Sequence, residues 1–316
     1  MSAENANTYP ISVKVATEGT VNYQEAQIIN PTSFVITKAN LVVSGITKEF
    51  DRTNSFSQAI SGVGGEKVTV TGQFAQVTVG SGIELNSVAI LASETENVNN
   101  YTISEIQTGS ITPSSVTNFD FTAGEDEFTY GDLRADDSLQ TILEKLGEGS
   151  RFTIGGDYTG AIEEGYAQIT SAVYGTRTVS TGGYLIAGDN TITLTITSAN
   201  YAQLASGKTF EVSISITPKA LDLSGTQITK QYDKTDALPA GIVWSIEGLL
   251  FGDNVTVDEE ASVFANSTVG NHRVNIALTA GQDASNYSLA EDDMPMGNIT
   301  PCLLYTSDAA DEARSV

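Results

Sequence analysis

The chain repeats itself, and this internal similarity constrains its fold more than any other feature. Residues 46–53 read ITKEFDRT and residues 228–235 read ITKQYDKT, so an Ile-Thr-Lys, a spacer, an aromatic residue, an Asp, a cation and a Thr recur in one order. Each copy is followed by a Gly-containing turn and then by a segment typical of a strand, at 67–70 and 254–257. Self-similarity of this kind predicts several domains arranged in series.

A second motif marks where each unit ends. An Asn-Tyr pair precedes a closing Ile-Thr-Pro, as Asn100-Tyr101 and Asn286-Tyr287 do, and the same order returns after Asn200-Tyr201. After Asn22-Tyr23 it returns with Lys in place of Pro. We therefore predict the end of a truncated repeat at 1–38, whole domains at 39–113, 114–218 and 219–301, and a separate tail at 302–316.

Strict alternation of apolar and polar residues predicts β-strands in several segments. The apolar residues of 210–216 occupy every second position, so one face is predicted to be core and the other wet. The same period recurs at 192–196 and 274–278. Only 139–146 has the apolar spacing of a helix, for which Ser138 or Asp137 is a candidate cap.

The predicted fold class is all-β, with tandem immunoglobulin-like β-sandwich repeats in an elongated array and one short helix in the middle domain. The Pro after Ile-Thr fixes φ and cannot donate to a ladder, so it stops strand pairing. No Gly/Ser-rich stretch separates Pro218 from the strand expected near 221–223, so successive domains are expected to be joined almost directly.

The recurring motif residues are interpreted as structural. An Asn binds its own local backbone and an aromatic beside it fills the space between sheets, so Asn-Tyr predicts a turn followed by a buried ring. Phe50 and Tyr232 are predicted to be buried in the same way, each followed by an Asp that binds neighbouring backbone N–H groups. Trp244 lies in an alternating segment and is predicted to occupy a strand, in the core or at its rim.

Charge and cysteine content restrict the partners. The 39 acidic and 15 basic residues give a formal net charge of −24, which argues against nucleic acid as a partner and favours a solubility role for the acidic surface. No run of about 18 apolar residues occurs and Met1 to Pro10 lacks the features of a signal peptide, so no membrane insertion is expected in this fragment. Cys302 is the one cysteine, so no internal disulfide is expected.

The sequence offers no set of residues for an active site, and we predict no enzyme, no catalytic residue, no cofactor and no metal site. His272 is the one histidine and lies at the start of a predicted strand. The acidic clusters at 125–127, 136–137, 258–260 and 291–293 are interpreted as solvated turns. Calcium at domain junctions stays an alternative, although no Asp-rich calcium loop is present. A Lys–Asn isopeptide cross-link also stays open.

Two of the predicted domains resemble a known repeat. Residues 39–113 and 219–301 resemble the YDG-type repeat of large bacterial surface proteins, with Phe50-Asp51 and Tyr232-Asp233 at the motif that names the family. The resemblance also rests on 252–255, on Asn-Tyr and on Ile-Thr-Pro. Both copies depart from the family at its Gly, where Arg52 and Lys234 stand.

The middle unit resembles a second kind of repeat. Residues 114–218 are similar to the MBG-type β-sandwich through 128–132, Asn-Tyr and Ile-Thr-Pro, and 1–38 is similar to the C-terminal part of such a repeat. The last stretch, 302–316, departs from the pattern and resembles translated sequencing-adapter read-through.

These resemblances imply a role and a location. They imply a structural stalk or spacer in an extracellular or cell-surface bacterial protein of the adhesin type, with its export signal and anchor outside this fragment. Its partner is then an unknown host or community surface ligand, bound through other domains. The alternative is that one or more repeats bind glycan or protein ligands directly as adhesive modules.

Overall fold

The structure is a computed structural model that describes residues 6–10, 33–91, 98–175, 179–279, 281 and 283–302. In these ranges it contains twenty-two β-strands, one α-helix and several short 3-10 helices, which confirms the prediction of an all-β fold with one helix. The Asn22-Tyr23 pair and the tail after Cys302 lie outside the described residues. No helix within the described ranges is long and apolar enough to cross a membrane.

The chain divides into two compact units. One comprises Met1–Asn118, Ala161–Gln168 and Thr197–Gly207, and the other comprises Phe119–Gly160, Ile169–Ile196 and Lys208–Val316. The domain boundaries that the sequence predicts at 38, 113, 218 and 301 stay a prediction.

The strands before residue 119 form four small sheets. The sheets have the orders β1-β2, β3-β9, β4-β10-β7 and β5-β6-β8. Gly109 of β10 lies so close to Phe74 of β6 that a side chain there would meet the ring, so these two sheets face each other. The strands are β1 (Asn7–Pro10), β2 (Ser33–Ile36), β3 (Ala39–Val43), β4 (Thr47–Glu49), β5 (Ser55–Ser61), β6 (Lys67–Phe74), β7 (Gly80–Ile83), β8 (Leu85–Ile90), β9 (Tyr101–Ile106) and β10 (Gly109–Thr112).

From residue 119 onward the strands form four more sheets. Their orders are β11-β13, β12-β16-β15-β14, β17-β21 and β18-β22-β20-β19. The elements are β11 (Phe119–Thr122), β12 (Glu127–Thr129), α1 (Leu139–Lys145), β13 (Arg151–Ile154), β14 (Gln168–Tyr174), β15 (Gly188–Thr197), β16 (Lys208–Thr217), β17 (Lys219–Ala220), β18 (Ile228–Gln231), β19 (Val263–Phe264), β20 (Gly270–Asn275), β21 (Tyr287–Ser288) and β22 (Met296–Thr300).

The two longest strands confirm the predicted alternation. In β15 and β16 every second side chain is buried, and the two strands pair antiparallel from Gly188↔Ile216 to Ile196↔Lys208. Phe210 of β16 contacts Phe152 of β13 with ring centroids 5.5 Å apart, so the sheet with β16 packs on the sheet with β13. Burying one face of each strand in this way supplies the main stabilising term of the core.

The structure confirms the helix, at Leu139–Lys145, and decides between its two candidate caps. Ser138 is the cap, because its hydroxyl accepts the backbone N–H of Thr141 at 3.2 Å. Gly147 follows the helix with φ +81°, a conformation that glycine adopts without strain. Ile142 and Leu146 are buried beneath the helix.

Asp137 has a role that the sequence interpretation missed. Its side chain is 8% exposed rather than solvated, and it binds Lys145 Nζ at 2.7 Å and the Tyr174 hydroxyl at 2.9 Å. Burial opposes ionisation, but these two donors and the N–H of Arg134 outweigh it and lower the pKa of Asp137. The interpretation of 136–137 as a solvated turn is therefore wrong for Asp137.

The segment around Trp244 also differs from the prediction. Residues 242–246 form no strand, since Gly241 adopts φ +77° and turns the chain. Val243 is 88% exposed, whereas the indole N–H of Trp244 donates to Glu259 at 3.0 Å. The predicted packing at the core rim is confirmed, because Trp244 contacts the buried cluster of Ile228, Phe264, Val274 and Ile299.

Candidate functional site

We call the strand that contains the Ile-Thr of each Ile-Thr-Pro the closing strand: β10, β16 and β22. Each closing strand pairs in parallel with an equivalent strand of its own predicted repeat: β4, β12 and β18. The residue before the motif aromatic pairs with the closing Thr in each. The N–H of the aromatic then donates to the carbonyl of that Thr at 2.8 Å in every copy. The hydroxyl of the same Thr donates to the backbone carbonyl of the residue two places before the aromatic, at 3.1–3.2 Å. This places Phe50, Tyr130 and Tyr232 at equivalent positions beside Thr112, Thr217 and Thr300.

The closing strand also has an equivalent antiparallel neighbour. In all four places its Ile pairs with the first residue of that neighbouring strand, which is Asn7 in the first place and a Gly in the other three. The pairs are Ile36↔Asn7, Ile111↔Gly80, Ile216↔Gly188 and Ile299↔Gly270. The residue that precedes each of these partners is therefore also equivalent from copy to copy.

In each Asn-Tyr pair that the structure describes, the Asn accepts a hydrogen bond from one of these preceding residues, which lies in the neighbouring predicted repeat. Asn100 Oδ1 accepts the N–H of Ala6 at 2.7 Å. Asn200 Oδ1 accepts the N–H of Val79 at 3.0 Å, and Asn286 Oδ1 accepts the N–H of Ala187 at 2.9 Å. The sequence interpretation assigned these Asn side chains to their own local turns, whereas the bonds span 94, 121 and 99 residues.

In the pairs at 200–201 and 286–287, the Tyr contacts the motif aromatic of the preceding predicted repeat. Phe50 and Tyr201 meet edge to face with centroids 5.3 Å apart, and Tyr130 and Tyr287 do so at 5.2 Å. Such pairs contribute about 0.5–1.5 kcal/mol beyond the area that they bury. Phe50 and Tyr130 are 3% and 1% exposed as a result. We call the Asn-to-backbone bond and this ring contact the junction.

Two carboxylates complete the junction at Tyr130. Asp253 Oδ2 accepts the hydroxyls of Tyr130 at 2.5 Å and Tyr287 at 2.7 Å, and its Oδ1 accepts the N–H of Gly182 at 2.9 Å. Asp283 accepts the N–H of Thr181 at 2.9 Å. Burial, and next the bond to Asp253, raise the pKa of both tyrosines, so their hydroxyls stay protonated as donors.

In the two similar repeats, 39–113 and 219–301, an equivalent turn holds the tyrosine of the Asn-Tyr pair. Tyr287 accepts the N–H of Leu250 at 3.0 Å and donates to Asp253. Tyr101 likewise accepts the N–H of Val63 at 3.0 Å and donates to Glu66 at 2.6 Å. The bond to Glu66, followed by burial, raises the pKa of Tyr101. The sequence signal for this turn was a Gly directly before the acidic residue, at 65 and 252.

The repeated ITK motif closes a loop around a lysine ammonium. Lys230 Nζ binds Asp233 Oδ1 at 2.9 Å and the carbonyls of Thr235 and Ala237 at 3.0 and 2.8 Å. Lys48 binds Asp51, Thr53 and Ser55 in the same arrangement, at 2.6–2.9 Å. The side chain of Lys230 is only 6% exposed, so the bonds replace its hydration.

The loop requires a left-handed residue after the Asp. Arg52 and Lys234 have φ values of +69° and +71°, where a side chain is strained and glycine is not. These are the positions at which the resembling family has its Gly. The predicted role of the Asp is confirmed, because Asp51 and Asp233 each accept the N–H of the Thr two residues later, at 2.9 Å.

Tyr232 contradicts the prediction that both motif aromatics are buried. Tyr232 is 37% exposed, whereas Phe50 at the equivalent position is covered by the rings of Tyr166 and Tyr201. The two aromatics therefore differ in exposure because different residues cover them, and not because the local backbone differs.

The other candidates from the sequence lie apart from the junctions. His272 lies in β20 and its Nε2 is 2.7 Å from the carbonyl oxygen of Thr268. Asp258 accepts the N–H groups of Glu260 and Ala261. Glu291 binds Arg273 at 2.6 Å. Among the residues that the structure describes, no group of three or more His, Cys, Asp or Glu is placed to hold a metal ion.

An open concave surface lies on the sheet β12-β16-β15-β14. It has a volume of about 850 Å³, and its lining includes the carboxylates of Asp126, Glu127, Asp189 and Glu211. The acidic lining disfavours anionic ligands.

Comparison with known families identifies one domain. Residues 217–294 match the family described as the YDG domain. This confirms the resemblance of the last repeat, while the resemblance of 39–113 to the same family and that of 114–218 to MBG-type repeats stay predictions. No curated protein matches the sequence.

Replacing the strained lysine is expected to stabilise the last repeat. Lys234→Gly removes the left-handed strain of about 1–2 kcal/mol, offset by about 0.5–1 kcal/mol of added chain entropy, so a net gain of about 0.5–1 kcal/mol is expected. Trp244 is the one tryptophan, so its fluorescence during denaturation reports this repeat. Lys234→Ala keeps the Cβ and serves as the control, and an equal effect of both changes would contradict the explanation.

The Lys230 ammonium is expected to control the titration of Asp233. Lys230, then the N–H and hydroxyl of Thr235, lower the pKa of Asp233 to about 2. Because the pKa is lowered in the fold, the bond favours folding above the ordinary pKa of 3.8 and loses its effect as the pH falls through about 2. In Lys230→Met the pKa should rise toward 3.8, measured by NMR titration of the carboxyl carbon, with Trp244 fluorescence confirming folding. An unchanged pKa in the folded variant would exclude Lys230 as the cause.

Loss of one junction asparagine is expected to expose one distant amide. In Asn286→Ala the N–H of Ala187 loses its acceptor, and a net hydrogen bond of about 0.5–1.5 kcal/mol corresponds to up to about tenfold faster exchange of that amide. Hydrogen exchange of the full chain measures it. Asn298→Ala, on the exposed face of β22, is the matched control and should leave Ala187 unchanged. Equal exchange in both variants would show that Asn286 does not hold the junction.

Proposed function

We propose that this chain is a structural stalk or spacer segment of a bacterial extracellular surface or adhesin-like protein, and that it presents distal binding domains. The repeats at 39–113, 114–218 and 219–301 act as immunoglobulin-like β-sandwiches in an elongated array, preceded by the end of another repeat at 1–38. One observation carries the proposal: the same Asn-to-backbone bond recurs at three successive places, each between neighbouring predicted repeats. A spacer needs such recurring junctions, whereas an enzyme or a single binding module does not.

The junctions support restricted orientations between successive repeats. At the junctions of Asn200 and Asn286, a long-range hydrogen bond accepted by a buried Asn and an aromatic contact hold two points of the preceding repeat. Asp253 and Asp283 add three more bonds at Tyr130. The connection itself is short, since Ser114 follows Pro113 directly and already bridges to Tyr201. Short connections with several fixed contacts favour a semi-rigid series over freely hinged domains.

The strand arrangement supports mechanical resistance. In each repeat a strand near the start, β4, β12 or β18, lies parallel to the closing strand, β10, β16 or β22. When the start of one strand and the end of its parallel neighbour are pulled apart, all hydrogen bonds between them are loaded at once. A repeat pulled at its two ends is therefore expected to resist unfolding by shear, as a load-bearing spacer requires.

Force spectroscopy on the full chain tests this directly. Cys302 is exposed and is the one cysteine, so it provides one attachment point. With a second cysteine in Gln227→Cys, before β18, force shears β18 along β22 and a high unfolding force is expected. With Lys234→Cys, after β18, force peels the same two strands apart and a clearly lower force is expected. Equal forces for the two geometries would contradict a load-bearing role.

Direct adhesion by one repeat is a second candidate that one observation favours. Phe251 and Val243 are 94% and 88% exposed, and both belong to the 219–301 repeat. They are the two most exposed large apolar side chains among the described residues, and exposed apolar surface marks binding sites where it forms a patch. Specific glycan or protein binding by the intact chain that is lost in Phe251→Ser would favour this candidate over a spacer that binds no ligand.

A further inference from the structure

We propose that the surface formed by Tyr232 and the backbone N–H of Val269 is a vacant copy of the junction, and that it fits the Asn-Tyr turn of a repeat joined directly after Pro301. This inference rests on the proposed spacer function and names the partner of one surface. The occupant is a repeat of the 114–218 kind, because a repeat of that kind covers the equivalent surface at Phe50.

The position of Val269 identifies it as the equivalent donor. It directly precedes Gly270, which pairs antiparallel with Ile299 of the closing strand. Ala6, Val79 and Ala187 precede the partners of Ile36, Ile111 and Ile216 in the same way. Each of those three N–H groups donates to a junction asparagine. The local sequence is also shared, since 78–80 and 268–270 both read Thr-Val-Gly.

The position of Tyr232 identifies it as the equivalent aromatic. Its N–H donates to Thr300 at 2.8 Å, as the N–H of Phe50 does to Thr112 and that of Tyr130 to Thr217. The backbone is therefore already in the arrangement that the two covered aromatics have. Tyr232 is 37% exposed and Val269 is 48% exposed, against 3% for Phe50 and 1% for Tyr130.

The two halves of this surface lie at the same end of one sheet. Tyr232 follows Gln231, which pairs with Thr300, while Val269 precedes Gly270, which pairs with Ile299. They therefore flank the last residues of β22 on its two sides. An Asn and the Tyr after it reach both flanks in the occupied junctions, where Asn200 binds Val79 and Tyr201 contacts Phe50.

The connection after the closing Pro favours a partner in the same chain. Lys219 follows Pro218 directly and pairs with Tyr287, and Ser114 follows Pro113 and bridges to Tyr201. A chain that leaves the closing Pro thus meets the Asn-Tyr strand of the following repeat at once. A second, separate copy of the chain lacks this connection and has to bear the full entropic cost of association.

A fusion tests the inference. The full chain in which a copy of 114–218 replaces 302–316 places an Asn-Tyr turn after Pro301. The amide of Val269 should then exchange up to about tenfold more slowly than in the natural chain, as one net hydrogen bond predicts. The matched control carries Ala at the appended copy of Asn200, and the slow exchange should be lost there while the amides of the appended β15 and β16 stay protected.

Each outcome decides the inference. Unchanged exchange at Val269 beside a folded appended repeat would overturn it. If the amide of Val269 in the natural chain exchanges more slowly as the protein concentration rises, the assignment of the occupant is overturned, because the occupant is then a second copy of the chain. Asn286→Ala is measured in parallel: if it exposes Ala187 while the fusion fails, the proposed junctions stand and only this inference fails.

Discussion

The closing Ile-Thr strand is the constraint on which the rest of the structure depends. Its Thr pairs with the residue before the motif aromatic, and its Ile pairs with the residue after a junction donor. One short strand therefore sets the position of an aromatic ring on one side and of a backbone N–H on the other. Because strand pairing has a period of two, a shift of one residue would misplace both groups together.

The junction follows from this register. The Asn side chain satisfies a backbone N–H at the end of a strand, and the neighbouring Tyr buries against the aromatic that the same closing strand holds in place. Unpaired backbone N–H groups at buried positions cost about 1–3 kcal/mol, so the Asn is more effective there than any apolar residue. In the junction at Tyr130, Asp253 and Asp283 extend the same principle to a loop of the neighbouring segment.

The motifs were visible in the sequence, but their partners were not. The octapeptides at 46–53 and 228–235 predicted repeated domains, and the structure shows that each copy forms a loop that encloses a lysine. Asn-Tyr predicted a turn and a buried ring, and Tyr101, Tyr201 and Tyr287 are indeed buried. That the Asn binds a residue about a hundred positions away had no signal in local pattern, because a side-chain amide is equally suited to its own turn.

The sequence by itself determined what depends on neighbours along the chain: the strands of 192–196 and 210–216, the helix with Ser138 or Asp137 as its cap, and the recurring motifs. Only the tertiary structure decided what depends on residues brought together from far apart. It buried Phe50 and left Tyr232 exposed although both have the same local motif, and it placed Asp137 beside Lys145 and Tyr174. The physical reason is that period and propensity are local, whereas burial and hydrogen bonding of a side chain depend on what covers it.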